Sequence, residues 1–156
     1  ISYINISEKY NFASERKASF LKTLKNNKIR FNKNYYASVK LEEPEKSFEI
    51  IKKMLSKNKK ITSIICSTEF SALSAIKACN YLNLEIGKDI SIITFDGPLV
   101  KDLSSPPLTA ISFPVQELGK RAIKILLKGH SNKNNYSNFQ AKSEIIERGS
   151  VHQVRE

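Results

Sequence analysis

A carboxylate delivered to the mouth of a buried strand is the first feature of this chain that could do chemistry. In Asp89-Ile-Ser-Ile-Ile-Thr-Phe-Asp-Gly-Pro98, residues 90–94 form a short, apolar, β-branched run. That is the pattern of a strand covered on both faces of a parallel sheet. Asp96 follows at its carboxyl end, where open α/β sheets bind their ligands, and is placed to accept hydrogen bonds. The plainer alternative is an aspartate opening the turn before Gly97-Pro98. Cys66 falls on a strand pattern and Cys79 on the helix after it, without metal-ligand spacing. They read as a buried, reduced pair of a cytosolic protein. His130 and His152 have no acidic or nucleophilic neighbour in sequence. No Gly-x-Gly-x-x-Gly, Walker loop or nucleophile–base pairing is visible. The expectation is binding rather than catalysis, with no catalytic residue, metal or cofactor.

Strands and helices must alternate to position these groups. Residues 1–6 alternate apolar and polar side chains as a strand does. A helix over 13–26 places Phe20, Leu21 and Leu24 inward and ends at Asn26-Asn27, residues that tolerate the left-handed conformation. A strand over 34–40 precedes Pro44, which opens a helix to 57 with Phe48, Ile51 and Leu55 on one stripe. Residues 61–66 form the next strand. Ser67 or Thr68 caps the helix that Asn83 ends, and its stripe Ala72, Ala75, Ile76 and Cys79 reads as core. After the 90–95 strand, 108–113 is a strand and 114–128 a helix with Val115, Leu118, Ala122, Ile125 and Leu126 on one side. A polar loop over 129–138 leads to a last strand over 143–148. This alternation predicts βαβ units: an α/β fold with a parallel sheet flanked by helices.

The 156 residues suit one domain. No apolar run approaches the roughly 18–20 residues that span a bilayer, and no secretion signal is apparent. Ile1 opens inside a strand pattern without Met, so the expectation is a piece of a longer protein. A net charge of +11 invites a nucleic-acid reading. The lysines, however, are spread over 25–28, 57–60 and 133–135, at helix ends and loops, where they favour helix C-termini and stay solvated. Direct DNA binding by this segment is not expected.

Three segments then point to a family. Residues 64–76 read Ile-Ile-Cys-Ser-Thr-Glu-Phe-Ser-Ala-Leu-Ser-Ala-Ile; the Asp-Gly strand end follows, then Ser-Pro-Pro-Leu-Thr at 105–109 and Pro-Val-Gln-Glu-Leu-Gly-Lys-Arg-Ala at 114–122. Ser14-Glu-Arg16-Lys-Ala-Ser-Phe20 precedes them and Glu147-Arg-Gly-Ser150 closes the chain. Together these resemble the sensor region of the lactose-repressor/galactose-repressor family of bacterial transcription regulators.

The resemblance implies a periplasmic-binding-protein-like type I fold, in which two α/β subdomains close on a small effector. Residues 1–112 and 141–156 would belong to the C-terminal subdomain. Residues 113–130 would form a crossover helix belonging to the N-terminal subdomain. The helix-turn-helix and the first half of the sensor are absent, so operator DNA would be reached only through the missing domain. By resemblance, Arg16 grips effector hydroxyl or carboxylate oxygens with its rigid fork of donors, and Asp96 accepts hydrogen bonds from the effector. Thr68 stands where the family usually has Asn, and Leu41 where it often has an aromatic ring. The helix carrying Ala72, Ala75 and Ile76, with the loop containing Leu99, would lie at a homodimer seam. The implied function is cytoplasmic sensing of a sugar or related molecule by a transcription repressor. A transport-type periplasmic sugar-binding protein on a similar fold is the alternative. Without its other subdomain, the apolar face of the crossover helix is expected to be hidden by folding back, swapping or dimerising.

Overall fold

A computed structural model describes residues 1–40, 42–95, 104–129 and 140–152. Leu41, Asp96, Leu99 and His130 lie outside the described residues. The strands are β1 (Ser2–Ile6), β2 (Tyr36–Val39), β3 (Ser63–Cys66), β4 (Ser91–Phe95), β5 (Thr109–Ser112) and β6 (Glu144–Ile146). They form one six-stranded sheet in the order β2-β1-β3-β4-β5-β6. The first five run parallel, as the βαβ pattern predicts. β6 departs from it, pairing antiparallel with β5 through Ala110↔Ile146 and Ile111↔Ile145. The helix after β5 does not pack back on the sheet as a crossover, so the returning chain meets β5 head to tail.

The helices are α1 (Asn11–Asn26), α2 (Pro44–Lys57), α3 (Glu69–Tyr81) and α4 (Val115–Gly129). β1 is central and buried at every position, including its polar residues. Ser2 Oγ donates to Ser63 O at 3.0 Å and Asn5 Nδ2 to Ala13 O at 3.1 Å, while Asn5 Oδ1 and the Tyr3 hydroxyl are buried without a hydrogen-bond partner among the described residues. Successive side chains point to opposite faces. Ile4 and Ile6 join Phe48, Ile51, Met54 and Leu55 of α2 with Ala72, Ala75 and Cys79 of α3 in the main core. On the other face Tyr3 stacks on Phe20 of α1, ring centroids 4.7 Å apart. α1 covers this face beside β1, while Ile65, Ile93 and Ile111 farther along the sheet remain half-buried.

Two local expectations are corrected. The strand expected over 34–40 begins only at Tyr36, because Lys33–Tyr35 forms a 3-10 turn in which the Asn32 side chain accepts from Asn34 N at 3.0 Å. The left-handed residue ending α1 is Lys28 (φ 57°), not an asparagine. Ile29 N donates back to Leu24 O at 2.9 Å and closes the helix in that geometry.

Arg148-Gly149-Ser150 has a structural task. Ser150 Oγ donates to Ile92 O at 2.6 Å and accepts from Thr109 N at 2.8 Å, while Ser150 O accepts from Ile92 N at 2.9 Å. Arg148 N donates to Thr109 Oγ1 at 3.0 Å, and its guanidinium donates to Leu108 O. The closing segment is thus pinned to both β4 and β5. Ser150→Ala removes a fully buried hydroxyl that satisfies two backbone groups, so it should cost about 1–3 kcal/mol in a urea melt. A variant as stable as the parent would remove this role.

α4 carries the apolar face predicted for it, and every side chain described on it is exposed; Val115 is 67% and Leu126 66% accessible. Ile123 and Leu127 are exposed with them. Of the three ways expected to hide this face, folding back over its own sheet is not the one adopted: no described residue covers α4.

Candidate functional site

Arg16 sits in the second turn of α1, half-buried, and reaches the carboxyl rim of the sheet. Its Nη1 donates to Ser67 O at 2.5 Å, immediately past the end of β3. The guanidinium carbon lies 4.1 Å from the ring centroid of Phe95, the last residue of β4. Phe12 and Phe113 flank it at 5.0 and 5.6 Å. The Phe95 and Phe113 rings are near-parallel, 6.4 Å apart. A cation against aromatic faces is favourable by about 0.5–2 kcal/mol, and the packing orders a long side chain that would otherwise be free. The outcome is a positive, multi-donor group fixed where β3 and β4 end.

Thr68 is the N-cap of α3, next in chain to the carbonyl that Arg16 holds. Its backbone is extended; Ser71 N donates to Thr68 Oγ1 at 3.2 Å, and Thr68 N donates to Ser71 Oγ at 3.1 Å. This reciprocal capping box satisfies free amides of the first turn. Arg16 and Thr68, separate in sequence, are therefore brought to one rim. Asp96 follows Phe95 in the chain, but it and Leu41 lie outside the described residues.

The rings around Arg16 were not picked out by sequence reasoning. Phe12 stands four residues before Arg16 on the same helix, a spacing that puts both side chains on one face. Phe95 and Phe113 end or follow adjacent parallel strands, so both arrive at the same rim. Phe12 keeps 42% of its surface exposed, leaving a flat apolar face beside the guanidinium.

The expected dimer seam needs a correction. Ala72 and Ala75 are 0% exposed within the core and have no surface to offer a second copy. Ile76 is half-buried against the core. The outer face of α3 instead shows Phe70 and Tyr81, exposed, with Leu73 half-buried between them. Leu99 lies outside the described residues.

Cys66 and Cys79 are both free and buried. Burial pushes the Cys66 thiol far above its ordinary range and that of Cys79 up to about 12. Neither should react with a thiol reagent in the native chain at pH 8, and both should react once it is unfolded; native-state labelling would contradict the burial. Among the described residues, no three His, Cys, Asp or Glu side chains gather into a group that could hold a metal.

The whole arrangement, from β1 to the closing Arg-Gly-Ser segment, matches a known family model, the periplasmic binding protein-like domain, over residues 1–151. The chain belongs to that family. It is 31% identical over 146 residues to the HTH-type transcriptional repressor PurR of Haemophilus influenzae, an alignment covering 91% of this chain and 43% of that protein. Its fold is similar to a sugar-binding transcriptional regulator of the LacI family from Escherichia coli, solved with phosphate (TM-score 0.83, 22% identity, 96% of this chain and 54% of that one). It is similar also to the lac repressor dimer bound to operator and the anti-inducer ONPF (TM-score 0.84, 21% identity, 96% and 51%). The resemblance to lactose-repressor/galactose-repressor regulators read from the sequence thus holds, and the relatives matched are transcriptional regulators, PurR among them a repressor, rather than enzymes. The chain spans less than half the length of the curated relatives it matches. No helix among the described residues is long and apolar enough to cross a membrane.

Proposed function

We propose that this chain is the effector-sensing portion of a transcription repressor, forming one wall of a cleft that closes on a small molecule such as a sugar. Arg16 and Asp96 are its principal polar contacts, Thr68 adds a hydroxyl, and Leu41 lines the same cleft. The observation that carries this is Arg16, held by Ser67 O and the Phe95 ring at the carboxyl rim of β3 and β4. Open α/β sheets take ligands at that rim, and a fixed guanidinium suits hydroxyl or carboxylate oxygens. The exposed face of Phe12 supports an effector with a flat ring, and supplies apolar contact at a site that has Leu41 in place of an aromatic residue.

In this reading the parent protein works in the cytoplasm and reaches operator DNA through a helix-turn-helix domain outside this chain. Residues 113–130 cross to the other half of the sensor, which covers the apolar face of α4. A homodimer forms along the outer side of α3, through Phe70, Leu73, Ile76 and Tyr81, with Leu99 beside them. The effector shifts the regulator between two states only by its differential affinity for them. Calorimetry of the full-length regulator against sugars, sugar phosphates and nucleobases tests the reading. One member of the panel should bind with micromolar affinity or better; no binding across the panel, with the protein folded, would count against it.

A further inference from the structure

Three strand ends meet on one cation. Ser67 follows β3, Phe95 closes β4, and Phe113 stands just past the last residue of β5. The Arg16 guanidinium is in contact with all three. The two rings, however, are held differently. Phe95 lies inside the sheet, paired with Ile111 of β5. Phe113 is outside it, next to Pro114, and Val115 N donates to Phe113 O at 2.8 Å, closing a tight turn around the proline. Leu118 N donates to Pro114 O at 3.0 Å and carries that turn into the first turn of α4.

This passage has little conformational freedom. A residue before proline is restricted to extended backbone, and proline fixes its own φ at about −65°. Near-parallel stacking on Phe95 limits rotation of the Phe113 side chain as well. The Phe113 ring and the axis of α4 are therefore coupled: one cannot turn far without the other. Phe113 and Pro114 are half-buried, whereas every described side chain from Val115 onward along α4 is exposed. Phe113 is thus where the rim of the sheet last grips the chain before α4. Phe12, whose ring also flanks the guanidinium, sits on α1 beside Arg16 and has no such link to α4.

We propose that Phe113 is a positioning residue that ties the course of α4 to the state of Arg16. This rests on the reading of Arg16 as an effector contact, and adds the route by which that contact reaches the crossover. A guanidinium is drawn to a ring face by its charge. An effector oxygen that takes its donors compensates that charge and pulls it off the Phe113 ring. Phe113 is then released, and α4 follows the course that the other half of the sensor favours. The effector shifts this equilibrium only by the contact it replaces, and one cation–aromatic contact corresponds to about 2–30-fold.

The test is hydrogen–deuterium exchange in the full-length regulator, read on the peptide covering residues 113–122. Phe113→Leu stays apolar but loses the ring, and should speed exchange there by about 2–30-fold. Arg16→Met should do the same, and the double variant should go no further than either alone. Phe113→Tyr keeps a ring and should exchange like the parent. Phe12→Leu removes a comparably near ring that is not joined to α4, and should leave this peptide unchanged; exchange across β1 checks that every variant is folded. The sugar, sugar phosphate or nucleobase that binds tightest in the calorimetric panel should speed the same peptide in the parent and change it little in Phe113→Leu. It should bind Phe113→Leu at least as tightly as the parent, because the contact it must break is gone; simple damage to the site would weaken it. Additive effects of Arg16→Met and Phe113→Leu, an equal change in Phe12→Leu, or a bound panel member that leaves the peptide unmoved would each overturn the proposal. If no panel member binds, the sensor reading fails, while the variant cycle still decides the link between Arg16 and α4.

Discussion

Gly87→Ala should destabilise the chain by about 3 kcal/mol. Gly87 adopts φ +84°, a conformation that costs an L-residue roughly 1–2 kcal/mol. A Cβ built there would lie 2.3 Å from Gly149 O. That carbonyl belongs to the segment that Arg148 and Ser150 pin to β4 and β5, so relief requires breaking the pin. Overpacking of this kind costs a further 1–3 kcal/mol or so. At about 2–4 °C per kcal/mol for a domain of this size, the melting midpoint should fall by about 10 °C. Gly119→Ala makes a matched control, because a Cβ there meets no atom within 4 Å and alanine favours helix. A Gly87→Ala protein melting within about 2 °C of its parent would show that the closing segment is not held as described.

Arg16→Ala in the full-length regulator should weaken effector binding by about 10–150-fold, the range for losing a hydrogen-bonded charge worth about 1.5–3 kcal/mol. Arg16→Lys tests geometry separately from charge. An ammonium keeps the charge, but the planar fork is lost along with its stacking on Phe95 and its bond to Ser67 O. It should therefore recover less than half of the lost binding free energy. Both variants need a melting curve, since Arg16 also packs against Phe12 and Phe113. Calorimetric affinity unchanged in a folded Arg16→Ala protein would remove Arg16 from the site.

The residues that made the fold legible were those whose burial follows from local spacing. Phe48, Ile51 and Leu55 repeat at helical intervals and fill the core, and the apolar run 90–94 forms a strand in which Ile90 and Ile92 are fully buried and Ile93 half-buried. What escaped reading was set by tertiary geometry. β6 reverses because α4 leaves the sheet, which no property of residues 143–148 reveals. Ala72 and Ala75 read from their spacing as core, and they are core; what their burial excludes is the seam that the resemblance implies for them. At the site, Arg16 alone looks like any solvated helix residue. Its role becomes visible when Ser67, Phe95 and Phe113, all distant in sequence, arrive at one rim.

A crystal structure of the full-length regulator with its effector tests the sensor account most directly. The account predicts the effector at the carboxyl rim of β3 and β4, its oxygens within hydrogen-bond distance of the Arg16 guanidinium and α4 packed against the opposite half of the cleft. An effector bound elsewhere, with Arg16 still turned onto Phe95 and touching no ligand atom, would contradict it.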